Sequence, residues 1–263
     1  MQTKVDYIET VLRQDPRDAK DRWDAEKLTA HGNDLLISFE SLRIAHTMEI
    51  LEGKVSPGRI LEVGAGNLDL ATVVRRYFPS AQLIAVEHPQ RQHVWTSAYR
   101  TVLTTERIGL VATDLVGTGL PFHSACFDLA FFAEVVEHLP PNAVPAALKE
   151  IARVLQPGGA LVLTTPNLAA WRNRENLLRG CSPGQHSPAI CIDGTYPHLR
   201  LYTMNELSDL LSGAGFLVEH KAFFDNIVLG ESTRRRILTT ILTPIRTVWP
   251  ALRETLLIKA VRR

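Results

Sequence analysis

The segment Glu134-Val-Val-Glu137-His138 sets two carboxylates and an imidazole close together in the chain. Residues three and four apart share one side of a helical turn, so Glu134 would face the same way as Glu137 and His138. An imidazole, with an ordinary pKa of about 6.5, is suited to removing a proton from a phenol-like hydroxyl. The three are therefore candidate catalytic residues, with His138 as general base; the plainer alternative is a histidine satisfied by hydrogen bonds where a helix starts. A second set is the run LEVGAGNLDLA at 61 to 71, in which an apolar stretch meets Gly64-Ala65-Gly66. Side chains at those glycines would keep a ligand away from the backbone. Glu87 lies 21 residues beyond Gly66 and can accept both hydroxyl hydrogens of a ribose, and Asp114 falls where an adenine ring would lie.

These residues need strand ends to hold them. From Pro57 onward, short apolar runs alternate with helical segments: RILEV (59 to 63), QLIAVE (82 to 87), RIGLVATD (107 to 114), FDLAFFAEV (127 to 135) and GALVLTTPN (159 to 167). That alternation predicts parallel strands joined by right-handed crossovers in a doubly wound α/β sheet. The stretch Leu-Gln-Pro-Gly-Gly at 155 to 159 is expected to end the helix before it, with glycine as the left-handed cap. Thr203 and Glu206 predict a capping box opening another helix. ETLLIKAVRR reads as a closing strand.

Upstream, Val5, Ile8 and Leu12, then Phe39, Leu42, Ile44, Ala45, Met48 and Leu51, outline two apolar helix stripes. The expected organisation is a helical cap over residues 1 to 55 and an α/β domain over 56 to 263. An insertion at about 166 to 200, rich in Pro, Gly and Ser, has the character of a lid or binding loop.

The glycine turn and its acids suit a nucleoside cofactor. A pyrophosphate dinucleotide usually wants a third glycine, where this chain has Asn67 and Leu68, and it would meet Glu62 unfavourably. A cationic amino-acid portion would not, which favours S-adenosylmethionine. The series LEVGAGNLD, AVE at 85 to 87, TDL at 113 to 115, FDLAFFAEVVEHL and LKEIARVLQPGGALVLTTPN resembles the class I S-adenosylmethionine-dependent methyltransferases over roughly residues 58 to 220. The resemblance implies a Rossmann-like seven-stranded sheet, mostly parallel with an antiparallel last strand. It also implies a cofactor site in which Glu62, Gly64, Ala65 and Gly66 meet the methionine portion. Glu87, with His88 beside it, would meet the ribose, Asp114 and Leu115 the adenine, while Ala133 and Glu134 line the mouth.

The Glu-x-x-Glu-His segment is similar to that of ubiquinone-pathway O-methyltransferases and, with the later His198, of small-RNA terminal 2′-O-methyltransferases. Glu134, Glu137, His138 and His198 could together ligate a divalent cation, but many relatives share the segment without a metal, and no metal is expected to be required. Expected substrate contacts are Asn167, Trp171, Arg172, Tyr196, His198 and Tyr202, around the insertion. The reading is methyl transfer to an oxygen or nitrogen of a small molecule. Its alternatives are metal-assisted RNA 2′-O-methylation and a non-catalytic nucleoside-binding regulatory module.

Composition narrows the partners. The 29 basic and 28 acidic residues nearly cancel, which argues against nucleic acid, whose phosphates ordinarily demand local positive charge. Three cysteines without a Cys-x-x-Cys pair indicate neither a disulfide framework nor a cysteine zinc site, and fit a reducing cytoplasm. The charged N-terminal stretch does not read as a signal peptide, and no run approaches the roughly 20 apolar residues of a membrane span. Arg234 to Arg236 and the apolar stripe after them suit core packing or peripheral contact with a membrane surface. Nothing in the sequence indicates an oligomeric state.

Overall fold

A computed structural model describes residues 2–14, 30–51, 56–183, 198–225 and 244–263. Tyr196, Cys191, Arg234 to Arg236 and most of the arginine-flanked stripe lie outside the described residues. The strands are β1 (Arg59–Val63), β2 (Gln82–Glu87), β3 (Gly109–Ala112), β4 (Phe127–Ala133), β5 (Leu155–Pro166), β6 (Phe216–Phe224) and β7 (Thr255–Arg262). They form a seven-stranded sheet in the order β3-β2-β1-β4-β5-β7-β6. Pairing is parallel from β3 to β5, and β7 runs antiparallel between β5 and β6. This is the expected doubly wound, Rossmann-like sheet with its last strand reversed.

The helices are α1 (Gln2–Arg13), α2 (Ala30–Glu49), α3 (Asp69–Tyr77), α4 (Ser97–Thr105), α5 (Val144–Val154), α6 (Trp171–Leu178) and α7 (Met204–Gly213). Alternation along each strand divides the apolar residues between two cores. Ile60, Leu83, Ala85, Leu129 and Phe131 pack on one face with Ile8, Leu12, Ile44 and Met48 of α1 and α2. Leu61, Val63, Ala130 and Phe132 pack on the other with Leu148 and Ile151 of α5 and Leu207 and Leu211 of α7. The N-terminal helices therefore share one core with the sheet, and α2 is held over the face toward which Glu62 points.

Three local expectations change or sharpen. The α5 helix does not end on a glycine cap: Leu155, already extended at φ −72° and ψ 147°, stops it, and Gly158, at φ +79°, lies inside β5. The third strand ends at Ala112, so Asp114 lies beyond it rather than at its end. The capping box is present, with Thr203 Oγ1 accepting from Glu206 N and Glu206 returning to Thr203 N.

Candidate active site

The strand order reverses between β1 and β4, and in an open α/β sheet a ligand crevice lies outside the carboxyl ends of strands at that point. Register brings those ends level: Val63 pairs with Val86, and Glu62 with both Ala85 and Phe131. The chain then leaves β1 through a turn tied to β2, where Gly64 N and Ala65 N both donate to Val86 O at 2.8 and 3.1 Å. Gly64 has φ +79°, and a Cβ built there would lie 2.4 Å from Val135 Cγ2. Gly66 has φ +50° and open space where its Cβ would be. Both glycines are required, Gly64 by packing and conformation and Gly66 by conformation and the hollow above it.

Leu68 holds the place where a third glycine often stands. It takes the left-handed conformation itself, at φ 65° and ψ 14°. That backbone costs about 1 kcal/mol or more, and complete burial of the leucine in the core under the turn offsets it. The missing glycine therefore leaves the local fold intact.

The turn floors a cavity of about 270 Å³ whose walls come from β1, β2, β4 and α2. Of the sequence candidates, Glu62, Gly64, Ala65, Gly66, Glu87, His88, Ala133, Glu134 and His138 line it. Glu87 turns into the hollow: its Oε2 accepts from Gly66 N and its Oε1 from His88 N, each at 2.7 Å. Glu134 has φ 55°. Such a conformation is uncommon for a residue with a side chain, and here it places the carboxylate in the cavity wall.

Several candidates lie elsewhere. Asp114 and Leu115 do not line the cavity; Asp114 stands at its rim, 3.9 Å from His88 Nε2, with its Oδ1 accepting from Val116 N. Glu137 does not share the side of Glu134 as a helical turn predicts. The segment is a short 3₁₀ turn, Val136–His138, and the Glu137 side chain is buried behind it, where Oε2 accepts from Thr165 Oγ1 at 2.8 Å. His198 meets His138 edge to face, with ring centroids 4.8 Å apart. Ligand atoms of Glu137, His138 and His198 lie within 4.8 Å of one another, so these three could hold a metal ion, whereas Glu134 is not in the group.

Asn167 is not available to an acceptor. Its Nδ2 donates to Ala251 O and Arg253 O, and its Oδ1 accepts from Ala169 N, so the amide is consumed in joining β5 to the segment before β7. Tyr202 is core, packed with Leu207 and Met204 beneath an Arg200 guanidinium. Trp171 is half-buried at the start of α6 and Arg172 is exposed beside it, both away from the cavity. Of these expected contacts among the described residues, only His198 approaches the site, through His138; Tyr196 lies outside the described residues.

Two residues absent from that reading, Glu40 and Arg43, complete the cavity wall from α2. Arg43 Nε and Nη2 both donate to Glu40 Oε2, while its Nη1 is buried without a hydrogen-bond partner. Glu62 Oε2 and Glu134 Oε1 are likewise buried and unpartnered. Burial pushes the Glu62 carboxyl well above the usual carboxylate range against the pull of Arg43, and raises Glu134 for the same reason. Burial and the nearby Glu134 raise Glu137 as well. The signal for Arg43 was present in the sequence as a lone cation within the apolar stripe of α2, at Leu42-Arg43-Ile44-Ala45.

These orphaned atoms fit an adenosyl amino-acid cofactor. A glycine floor admits the ligand to the backbone, Glu87 stands at the tip of β2, and one unpartnered donor and two unpartnered acceptors face a small volume. A zwitterion could satisfy that combination; a pyrophosphate would oppose it.

Known proteins agree. The sequence profile of a family described as Methyltransferase domain matches residues 38–221. A Mycobacterium tuberculosis protein named as an S-adenosylmethionine-dependent methyltransferase is 29% identical over 161 residues, 60% of this chain and 48% of its own length. The chain thus spans about half of that relative. Among solved structures, a Haloferax volcanii methyltransferase in complex with the Trm112 activator superposes with a TM-score of 0.59 at 17% identity, over 94% of this chain and 98% of that one. A Burkholderia thailandensis 1,6-didemethyltoxoflavin-N1-methyltransferase, solved with its acceptor and S-adenosylhomocysteine, has a TM-score of 0.54 at 17% identity, over 99% and 87%.

Proposed function

The chain belongs to the S-adenosylmethionine-dependent methyltransferases, and from that premise we infer that its acceptor is an oxygen or nitrogen of a small molecule, entering beside His138. One observation carries this reading: His138 lines the same cavity as the glycine turn and Glu87, so a proton acceptor stands at the edge of the cofactor hollow. The nearly balanced charge supports a small acceptor over RNA. A fold neighbour that methylates a small heterocycle is compatible with it.

When bound, the cofactor supplies a methyl group already activated on a sulfonium. The chain's own residues bind, orient and exclude water. Glu62, the 64–66 turn and Glu134 hold the amino-acid end, and Glu87 with His88 holds the ribose. Asp114 and Leu115 border the adenine from the rim. His138 takes the acceptor's proton where one must leave, steadied by the His198 ring. Residues 1 to 55 are proposed as a cap on a domain of 56 to 263, and of the insertion at about 166 to 200 it is His198 that borders the acceptor among the described residues. The cysteine content fits work in the cytoplasm. No helix among the described residues is long and apolar enough to cross a membrane.

The test is transfer of labelled methyl from S-adenosylmethionine to separated small-molecule, protein and RNA fractions. Label in the small-molecule fraction is expected, and label confined to RNA or protein would overturn the acceptor class. His138→Gln should lower kcat by about 100-fold or more with S-adenosylhomocysteine affinity nearly unchanged; an unchanged kcat removes His138 as base. The clustering of Glu137, His138 and His198 favours a second reading, in which a divalent cation sits between them. Zinc or manganese titration against wild type and His198→Ala decides between the two, because binding lost in the variant would assign His138 to the metal.

A further inference from the structure

We propose that the edge of the sheet beyond β5 is a docking surface for an anionic membrane, seated by exposed apolar side chains of α6 and of the helical segment 244 to 248. This surface goes beyond the methyl-transfer reading and depends on neither the cofactor nor the acceptor.

Large apolar side chains stand in solvent there. Leu178 is 87% exposed and Leu177 57%, both in the last turn of α6, while Val248 is 89% exposed and Trp249 59%, with Ile245 beside them. Single exposed apolar residues are ordinary, but side chains this bare in two neighbouring segments make a patch. Asn167 joins those segments. Its carbonyl accepts from Asn173 Nδ2 of α6, and its amide donates to Ala251 O and Arg253 O, just past Trp249. Its backbone also bridges to Tyr202, at the end of the strip 198 to 202 in which Leu199 is half-exposed. That strip is held to the 3₁₀ turn at the cavity mouth, where Leu199 N and Arg200 N donate to Glu137 O. Patch and cavity mouth therefore lie along one edge of the sheet.

Charge selects the occupant. Arg172, Arg174 and Arg179 are exposed along α6 against a single acid, Glu175, which Arg179 engages at 2.7 Å. Arg172 and Arg174 have no ion-pair partner among the described residues. The whole chain carries a formal charge of only +1, so this is a local excess. Arginines interleaved with bare leucines, and a tryptophan at the same level, suit a segment lying in a membrane interface. The guanidiniums meet lipid phosphates, the leucines enter the acyl boundary, and the indole takes the layer between. A second copy of the chain fits less well, because a two-fold contact through this face would gather the arginines of both copies into one interface. No helix among the described residues is long and apolar enough to cross a membrane, so the contact is with one face of the bilayer.

The experiment is flotation of the full chain with two kinds of vesicle, one of phosphatidylcholine and one of equal parts phosphatidylcholine and phosphatidylglycerol. Wild type should partition about 10-fold or more better onto the mixed vesicles and lose that advantage at high salt. Leu178→Ser and Val248→Ser should each lower partitioning about 10-fold, and Arg172→Gln about fivefold. Affinity for S-adenosylhomocysteine should be unchanged in all three, since none of these residues lines the cavity. Protein left in solution with both vesicles, or binding indifferent to phosphatidylglycerol, overturns the proposal and needs no variant to fold. Unchanged partitioning of both serine variants overturns it as well. A dimer formed without lipid and abolished by Val248→Ser would give the face to a second copy, again overturning it. Each of these failures leaves the methyl-transfer reading standing.

Discussion

Replacing Gly64 by alanine tests whether the turn is held open by packing or only by conformation. The new Cβ would lie 2.4 Å from Val135 Cγ2 and 3.4 Å from Cγ1, inside any ordinary contact. Valine is stiff about χ1, so the relief must come from a backbone or rotamer shift, for which overpacking costs of about 1–3 kcal/mol are usual. The φ of +79° adds about 1 kcal/mol for a residue with a side chain. Together these predict a loss of about 2–4 kcal/mol, or a Tm lower by roughly 4–15 °C for a chain of this size. At Gly66 the Cβ meets nothing within 4 Å, so only the conformational part applies, about 1 kcal/mol. Thermal unfolding of the cofactor-free protein should therefore separate the two variants by several degrees, whereas calorimetry with S-adenosylhomocysteine should show both weakened, because both residues line the cavity. Val135→Ala in the Gly64→Ala background should restore the packing part and leave the conformational part. If Gly64→Ala and Gly66→Ala unfold at the same temperature, or if the double variant is no more stable than Gly64→Ala, the packing argument is wrong.

Further expectations concern charge, the joint before β7 and a helix cap. Glu62 and Glu134 have carboxyls raised by burial, so the stability tied to their protonation is complete below the ordinary value of 4.5 and is lost as pH rises through the folded-state values. Glu62→Gln should consequently gain in Tm relative to wild type as pH rises, and a constant difference would count against the raised carboxyl. A cationic ligand favours the ionised carboxyls, so binding of S-adenosylmethionine should release protons. Calorimetry in buffers of different ionisation enthalpy reads that release directly, provided the contributions of His88 and His138 in the same wall are followed with single variants. Asn167→Ala removes three hydrogen bonds from a buried amide and should cost about 2–4 kcal/mol in denaturant unfolding. Its cofactor affinity should be little changed, and a raised acceptor KM without loss of stability would return Asn167 to the substrate site. Thr203→Ala opens the capping box of α7 and should cost about 1 kcal/mol, with no change in S-adenosylhomocysteine binding because α7 lies on the opposite face of the sheet.

Much of the architecture and half of the site could be read directly from the chain. Apolar runs at strand spacing, the Gly64-x-Gly66 bend and the acid at position 87 are local signals, because strand periodicity, a turn without side chains and the last residue of a strand each depend on near neighbours in sequence. Local signals do not fix a side chain whose direction depends on what packs behind it. Glu134 and Glu137 part company because Glu134 takes a left-handed backbone while Thr165 draws Glu137 inward. Asn167 and Tyr202 carry suitable chemistry for a pocket yet are spent on joining the last strands to the core.

Periodicity and composition thus determined the alternation of strands and helices, the position of the glycine bend and the absence of broad excess charge. Only the folded chain decided that α2 lies across the ends of β1 and β4, so that an arginine 21 residues before Gly64 shares a cavity wall with Glu62 and Glu134. Sequence patterns report forces between neighbours along the backbone. The pairing of charges across a cavity depends on which surfaces the core brings together, and here that core buries α1 and α2 against the face from which the ligand-facing carboxylates project.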